Sequence, residues 1–167
     1  AVRDLTDDVK AELKEAADAL AKKDSALGKR AAEAGTGSTI FAVKPGDGSA
    51  REQAASCQRV LGASANIANE YATKRYRSNL INWGMLPFLY KDGDKNLPFA
   101  NGDYVFIPGV RKMIEEKLAS VKAYAVKFGS DGKATGSVNE FELSVGDLTD
   151  DERKIILAGC LINFYRD

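Results

Sequence analysis

Twelve residues of this sequence, GDGSAREQAASC from Gly46 to Cys57, combine residue types that suit the binding of an anion. Gly46 and Gly48 permit positive φ angles and let a ligand come close to the backbone. Ser49 stands where a helix would begin, so free N–H groups and the helix dipole would face an anion there. Arg51 carries a guanidinium that can pair with a carboxylate through two parallel hydrogen bonds. The spacing therefore predicts a carboxylate site at the start of a helix.

The same residues also have a purely structural interpretation. Ser49 and Glu52 have the spacing of a capping box, in which the serine side chain caps the helix and the glutamate returns a bond to the backbone. The segment lacks the Gly-Lys-Ser/Thr ending of a P-loop and the third glycine of a dinucleotide-binding fingerprint. The local pattern thus leaves two interpretations open, a helix cap and a carboxylate site.

The composition excludes several kinds of chemistry. The 167 residues contain no histidine, so a Ser-His-Asp triad and a histidine-containing zinc site are excluded. Cys57 and Cys160 are too few for an iron–sulfur cluster, which needs about four ligands; we expect both to be buried in a protein of the reducing cytoplasm. The 24 basic and 24 acidic residues cancel, which argues against nucleic acid as a partner. No apolar run has the length of a membrane span, so we expect no membrane association.

Hydrophobic periodicity predicts the helices and strands that would position the loop. The first 34 residues form a helical segment with Thr6 as the N-cap of a long amphipathic helix, and residues 35–167 form the core. The core segments are, in chain order, a strand at STIFAVK, a helix at REQAASCQRVLG, a strand at SANIANEY, a helix at TKRYRSNLINWG, strands at MLPFLY and GDYVFIPG, a helix at VRKMIEEKLASV, a hairpin turning at GSDGK and a helix at DDERKIILAGCLINFYRD. Thr149 and Glu152 form a capping box at the start of that last helix. This alternation indicates an α/β fold with parallel and antiparallel sheet elements.

Three expectations concern side chains near the loop. The helix that follows the loop should have Ala50, Ala54, Cys57 and Leu61 on one buried face. The run from Lys74 to Arg77 should be a solvated helix face. Trp83 should belong to the hydrophobic core with its apolar neighbours.

Four stretches resemble the signatures of one enzyme family and occur in the family's order. GDGSAREQAA resembles the GxGSSREHAA signature of the aconitase superfamily, and RSNLINWGMLPF resembles its RSNLxxxGxLPL segment. GDYVFIPGV and DDERKIILAGCLINFY are similar to the family's following strand and closing helix. By this resemblance, residues 1–167 form one C-terminal swivelling β/β/α domain. Because the chain opens on Ala1 without a methionine, we expect it to be a piece of a longer polypeptide.

The resemblance implies a hydro-lyase, which adds or removes water across a double bond of a hydroxy di- or tricarboxylic acid. It implies a [4Fe–4S] cluster, ligated outside this chain, whose open iron acts as a Lewis acid on the hydroxyl. Ser49 matches the family's proton-abstracting serine and Arg51 its carboxylate-binding arginine, while the backbone of Gly48 and Ala50 completes the anion cradle. The implied partners are a carboxylate substrate and cluster-bearing domains or a large subunit. The isolated chain is expected to be inactive.

Three positions depart from the family pattern. Ala50 replaces the second serine of the signature, Gln53 replaces the histidine after the glutamate, and Tyr76 stands where a histidine precedes RSN. No GDxxxTDxI segment precedes the loop, so the family's upstream arginine has no counterpart here. Two alternatives follow: the separate small subunit of an isopropylmalate-dehydratase-like enzyme, and a non-catalytic carboxylate-binding module of the same fold. The sequence does not name the hydroxy acid.

Overall fold

A computed structural model describes residues 5–166 of the chain. Within this range the fold is α/β, as predicted, and its strands form one parallel and one antiparallel sheet. The helices, numbered in chain order, are α1 Asp7–Lys23, α2 Ser25–Ala32, α3 Arg51–Val60, α4 Lys74–Asn82, α5 Val110–Glu115, α6 Asp150–Ala158 and α7 Leu161–Arg166. The strands are β1 Ser38–Ala42, β2 Ala63–Ala68, β3 Leu86–Leu89, β4 Tyr104–Phe106, β5 Val121–Phe128 and β6 Ala134–Leu143. The chain divides into two compact units.

The first unit contains α1 and α2 with the antiparallel sheet, whose strand order is β4-β5-β6. Thr6 caps α1 as predicted, because its side chain accepts a hydrogen bond from the backbone N–H of Val9. One core cluster of this unit is formed by buried residues of α1 and β5, namely Ala16, Ala19, Leu20, Tyr124 and Val126. The amphipathic pattern of the first helix therefore corresponds to a packed interface with the sheet.

Two polar side chains brace this unit. The Tyr104 hydroxyl donates to Oε2 of Glu12 at 2.6 Å, and burial together with this bond raises the pKa of Tyr104 to about 12. Burial alone would raise the pKa of the Asp103 carboxyl, but hydrogen bonds from Lys127 and from the backbone N–H groups of Phe128 and Ala100 outweigh it and lower that pKa. Both groups thus keep the protonation states that these bonds require at neutral pH.

The second unit contains the parallel sheet, in which β2 pairs with β1 on one side and with β3 on the other. Helix α3 connects β1 to β2, and α4 connects β2 to β3. A core cluster lies between these elements and consists of Ala55, Ala63, Tyr76, Leu80 and Met85. Because all three strands are parallel, the loops that follow them lie at one edge of the sheet, where α/β proteins place their ligands.

The last predicted helix is divided in two. Thr149 and Glu152 form the predicted capping box at the start of α6, with each side chain bonded to the other residue's backbone N–H. The helix then ends at Gly159, which adopts a left-handed conformation with φ 91°, and α7 begins two residues later. The sequence signal of a glycine C-cap at this position was missed, because the apolar pattern continues across it.

Replacing Gly84 by alanine should lower the free energy of unfolding by about 2–5 kcal/mol. Gly84 has φ +73°, and a Cβ at this position would overlap the carbonyl oxygen of Gly159, a backbone atom that cannot rotate away. Denaturant unfolding of the variant measures the loss. Gly62→Ala is the matched control, because Gly62 has φ +97° but a Cβ there would face open space. Its loss of unfolding free energy should therefore come from backbone strain alone and be about 1–2 kcal/mol. Equal losses in the two variants would contradict the close approach of α4 to the end of α6.

Candidate functional site

The first residues of the loop between β1 and α3 are hydrogen-bonded to the segment that follows β2. The carbonyl of Val43 accepts from the N–H of Glu70 at 3.0 Å, and the carbonyl of Pro45 accepts from the N–H of Ala72 at 2.9 Å. These bonds continue the parallel pairing of β1 with β2 beyond the strands. The loop therefore leaves the carboxyl edge of the sheet in a defined direction.

The two glycines of the loop have different roles. Gly46 has φ +95°, and a Cβ there would lie 2.5 Å from the Tyr76 side chain, so no other residue fits this position without a shift. Its carbonyl accepts from Oγ1 of Thr73 at 3.1 Å. Gly48 does not use the positive φ that glycine permits, and a Cβ at this position would face open space. Gly48 therefore leaves room beside its backbone without any conformational need for glycine.

Ser49 does not cap the helix. The N-cap of α3 is Ala50, and no side chain accepts from the first turn, so the capping-box interpretation is wrong. Glu52 instead accepts from the indole Nε1 of Trp83 at 3.1 Å. Within residues 5–166 the exposed Ser49 hydroxyl has no hydrogen-bond partner, and the N–H groups that open α3 lack a side-chain acceptor. The start of α3 thus has backbone N–H donors without a side-chain acceptor next to a hydroxyl without a hydrogen-bond partner.

Arg51 is the first residue of α3 and is half-buried. Its Nε atom is inaccessible to solvent and has no hydrogen-bond partner among the described residues. The guanidinium also forms no ion pair with any of them. A buried donor without a partner is unfavourable and is uncommon in folded proteins. A carboxylate cannot reach this buried atom, but it can pair with the terminal nitrogens of the guanidinium, which form no ion pair among the described residues. Ser49, Gly48, Ala50 and Arg51 therefore stand together at the carboxyl edge of β1.

The expected inward face of α3 is wrong. Ala54, Cys57 and Leu61 are exposed, whereas Ala55 is fully buried and Gln58 is half-buried. The inward stripe includes polar side chains whose hydrogen bonds are made with other elements, so apolar periodicity does not reveal it. The burial expected for Cys57 is therefore also wrong, and Cys160 is half-buried; both cysteines are free.

The solvated face expected from Lys74 to Arg77 is correct for its first two residues and wrong for the others. Tyr76 is 2% exposed, and the Arg77 side chain is 17% exposed. Nη2 of Arg77 donates to the carbonyls of Val145 at 2.9 Å and Asp147 at 2.8 Å. Arg77 therefore holds the segment that leads into α6 and is not free to bind a substrate.

Trp83 is 37% exposed rather than a core residue. It is the C-cap of α4, and its indole bond to Glu52 reaches the first turn of α3. This contact fixes the end of one helix to the start of the other. The expectation failed because a tryptophan at a helix end has an N–H that needs a partner, and here the partner is a surface carboxylate.

Sequence reasoning missed the polar side chains behind the loop. The Tyr76 hydroxyl accepts from Nε2 of Gln58 at 2.9 Å and from Nδ2 of Asn66 at 2.8 Å. The neighbouring Tyr71 hydroxyl bonds to the carbonyls of Phe88 at 3.0 Å and Asn66 at 3.3 Å. Burial raises the pKa of Tyr71 far above its ordinary value, so this phenol remains a hydrogen-bond donor. The only signal in the sequence was an aromatic residue inside a charged helical run.

The described residues form no group of metal-binding side chains. Among residues 5–166, no three histidine, cysteine or acidic side chains come together in a group that could hold a metal ion. No helix in the described range has the length and apolar character needed to cross a membrane.

A protein-family model described as the aconitase C-terminal domain matches residues 4–93, which is more than half of the chain. The match includes the loop from Gly46 and the RSNLINWGMLPF segment. The two later stretches, GDYVFIPGV and DDERKIILAGCLINFY, lie beyond it. No curated protein matches the sequence.

Proposed function

Because the chain belongs to the aconitase C-terminal domain family, we propose that it contributes the proton-abstracting serine and the carboxylate-binding arginine of a hydro-lyase. The complete protein would interconvert a hydroxy di- or tricarboxylic acid and its unsaturated product by loss or gain of water. The observation that carries this proposal is the free Ser49 hydroxyl at the uncapped start of α3. A serine whose only role was to cap the helix would be bonded to the first turn.

Ser49 is suited to hold negative charge for a short time. A serine hydroxyl is a weak base in water, and its alkoxide must be stabilised to act as one. The N–H groups at the start of α3 and the positive end of the helix dipole lie next to Ser49 and provide such stabilisation. The Oγ atom would take the proton from the carbon beside a substrate carboxylate, leaving the electron pair to form the double bond as the hydroxyl departs.

Arg51 would hold that carboxylate. Its guanidinium makes no ion pair within the described range, so its terminal nitrogens are available to pair with a carboxylate. The open space beside Gly48 lets the substrate approach the backbone. Carboxylate binding at Arg51 would therefore place the acidic carbon of the substrate near Ser49.

The family's [4Fe–4S] cluster does not fit the residues of this chain. The described part contains two free cysteines and no cluster of metal-binding side chains. We propose that the cluster is held by cysteines outside these 167 residues, in cluster-bearing domains or in a large subunit. The free cysteines accord with a reducing compartment, and we propose the cytoplasm.

The natural gene product, purified without oxygen, tests the proposal. We expect it to contain about four irons, in the same chain or in a partner subunit, and to convert a hydroxy di- or tricarboxylate to its unsaturated acid. The isolated 167-residue chain should show no turnover, because it lacks the cluster. Iron analysis, mass spectrometry and the ultraviolet absorbance of the new double bond are the measurements. A product without iron and without turnover would refute the enzyme proposal, and turnover by the isolated chain would refute the need for the missing part.

A carboxylate-binding module without turnover is a second candidate. Ala50 provides no hydroxyl at the N-cap of α3, and Gln53 replaces the histidine of the family signature. This module would bind a carboxylate through Arg51 but would show no chemistry for Ser49 to perform. Binding of a di- or tricarboxylate by the complete protein, in the presence of its iron but without any turnover, would favour this candidate.

A further inference from the structure

We propose that Tyr76 is a positioning residue that sets the place of Ser49 by holding both ends of the segment from Gly46 to Gln58. The inference rests on the proposed function of Ser49 and goes beyond it. Tyr76 does not belong to the loop or to α3; it lies in the first turn of α4. Its action on Ser49 is therefore indirect.

The first contact is with the start of the segment. The backbone of Gly46 lies against the Tyr76 side chain so closely that a Cβ on Gly46 would be 2.5 Å from Cβ and Cγ of the tyrosine. Thr73 reinforces this contact: its hydroxyl donates to the Gly46 carbonyl at 3.1 Å and accepts from the N–H of Tyr76 at 3.2 Å. The ring and the threonine together fix the point at which the loop turns.

The second contact is with the last turns of α3. The Tyr76 hydroxyl accepts from Nε2 of Gln58 on α3 and from Nδ2 of Asn66 on β2. Asn66 is fully buried and Tyr76 is nearly so, which makes these bonds inaccessible to competing water. The Tyr76 hydroxyl therefore links α3 to β2, the central strand of the parallel sheet, which is paired with a strand on each side.

The link between Gln58 and Asn66 runs through the tyrosine oxygen. In the described part of the chain, Oε1 of Gln58 and Oδ1 of Asn66 are buried without a partner, and the two amide groups meet through that oxygen alone. A second bond joins α3 to β2, from Nη1 of Arg59 to the carbonyl of Ala63 at 2.9 Å, but it lies at the turn between the two elements. Removing the Tyr76 oxygen leaves two buried N–H donors unpaired. Helix α3 would keep its bond at Arg59, near its end, and lose the one at Gln58, so Ser49 at the opposite end of the helix would shift.

Tyr76→Phe in the complete protein is the test. Small displacements of a catalytic group are costly, so we expect kcat to fall about 10- to 100-fold while KM changes by less than about threefold. Hydrogen exchange of the backbone N–H groups from residue 46 to residue 52 should become faster. Tyr71→Phe is the matched control, because it also removes a buried phenol bond, but one made to strand carbonyls; it should leave kcat and the exchange of the loop unchanged.

A second variant separates positioning from stability. In Tyr76→Phe with Gln58→Met, the unpaired amide of Gln58 is gone, so part of the lost thermal stability should return. The value of kcat should remain low, because the bond from α3 through the Tyr76 oxygen to Asn66 is still absent. Recovery of kcat together with stability would show a merely structural role and would overturn the proposal.

Failure of this proposal can be distinguished from failure of the proposed function. An active wild-type protein with unchanged kcat in Tyr76→Phe overturns the positioning role and leaves the hydro-lyase proposal intact. If the iron-loaded wild type has no turnover, the hydro-lyase proposal fails. Hydrogen exchange of Tyr76→Phe then tests the positioning role by itself. Unchanged exchange from residue 46 to residue 52 overturns the positioning role, and faster exchange in that segment alone supports it.

Discussion

Replacing Ser49 by alanine in the complete protein is expected to lower kcat by about 10²- to 10⁴-fold, which is what a positioned general base contributes. The Kd of a carboxylate inhibitor should change by less than about threefold, because Arg51 and the backbone donors of α3 remain. Steady-state kinetics and equilibrium binding of the inhibitor are the two measurements. A loss confined to kcat is typical of a group that acts in the chemical step rather than in binding.

The physical reason lies in the freedom of the Ser49 hydroxyl. It is exposed, it does not cap α3, and it stands next to N–H groups that no side chain satisfies. Alanine removes the oxygen but keeps the loop backbone, which is held at Gly46 by Thr73 and Tyr76. The variant should therefore fold and bind as the wild type does, with no atom left to take the proton.

Ser56→Ala is the matched control for Ser49→Ala. Ser56 lies within α3, the helix that Ser49 precedes, and its hydroxyl donates to the backbone carbonyl of Gln53 at 3.3 Å. Its removal should leave kcat within about twofold of the wild-type value, as expected of a surface substitution. Equal losses in the two variants would attribute the effect to α3 as a whole. A Ser49→Ala protein with wild-type kcat would remove Ser49 from the reaction.

Replacing Arg51 by alanine is expected to weaken carboxylate binding by about 10- to 100-fold, which corresponds to the loss of one charged hydrogen-bonding group of about 1.5–3 kcal/mol. KM for the substrate and Kd for a carboxylate inhibitor should rise together. The reason is that the guanidinium makes no ion pair among the described residues, so its terminal nitrogens are available to the carboxylate. Inhibitor binding measured at two salt concentrations checks the result, since the charged component weakens with salt.

Two further variants control for charge and for the helix. Arg51→Lys keeps the positive charge but cannot form two parallel bonds, so its affinity should fall between those of wild type and Arg51→Ala. Arg59→Ala removes an arginine from the last turn of α3, where Nη1 donates to the carbonyl of Ala63 at 2.9 Å; its carboxylate affinity should be unchanged. If Arg51→Ala binds as tightly as the wild type, another group holds the carboxylate.

Comparison of three helix starts shows which local patterns predict structure. Thr6 and Thr149 cap α1 and α6 as predicted, because their partners lie three residues away. Glu152 also pairs with the distant Arg77, but through Oε1, while Oε2 accepts from the N–H of Thr149. Ser49 has the same spacing to Glu52, yet the predicted cap is wrong: Ala50 is the N-cap, and Glu52 is bonded to Trp83, which is 31 residues away. A capping pattern therefore predicts structure only where tertiary contacts leave the atoms of the cap free.

The inward face of α3 shows a second limit. Hydrophobic periodicity selects apolar residues, but the inward face of α3 includes Arg51 and Gln58, which are half-buried in the fold. The bond of Gln58 to Tyr76 spans 18 positions of the sequence. Periodicity measures the transfer of apolar surface from water and carries no information on a polar group whose partner lies on another element.

The sequence by itself determined the element types, the α/β class, the local caps at Thr6 and Thr149, and the family to which the signature at Gly46 to Cys57 belongs. These features depend on residue type, on periodicity and on neighbours within one helical turn. Only the tertiary structure decided that the Ser49 hydroxyl is free, that Arg77 is occupied by backbone carbonyls, and that Tyr76 supports the loop. Those outcomes depend on hydrogen bonds between residues 10 to 70 positions apart, and such bonds form only when the packed elements bring their partners together.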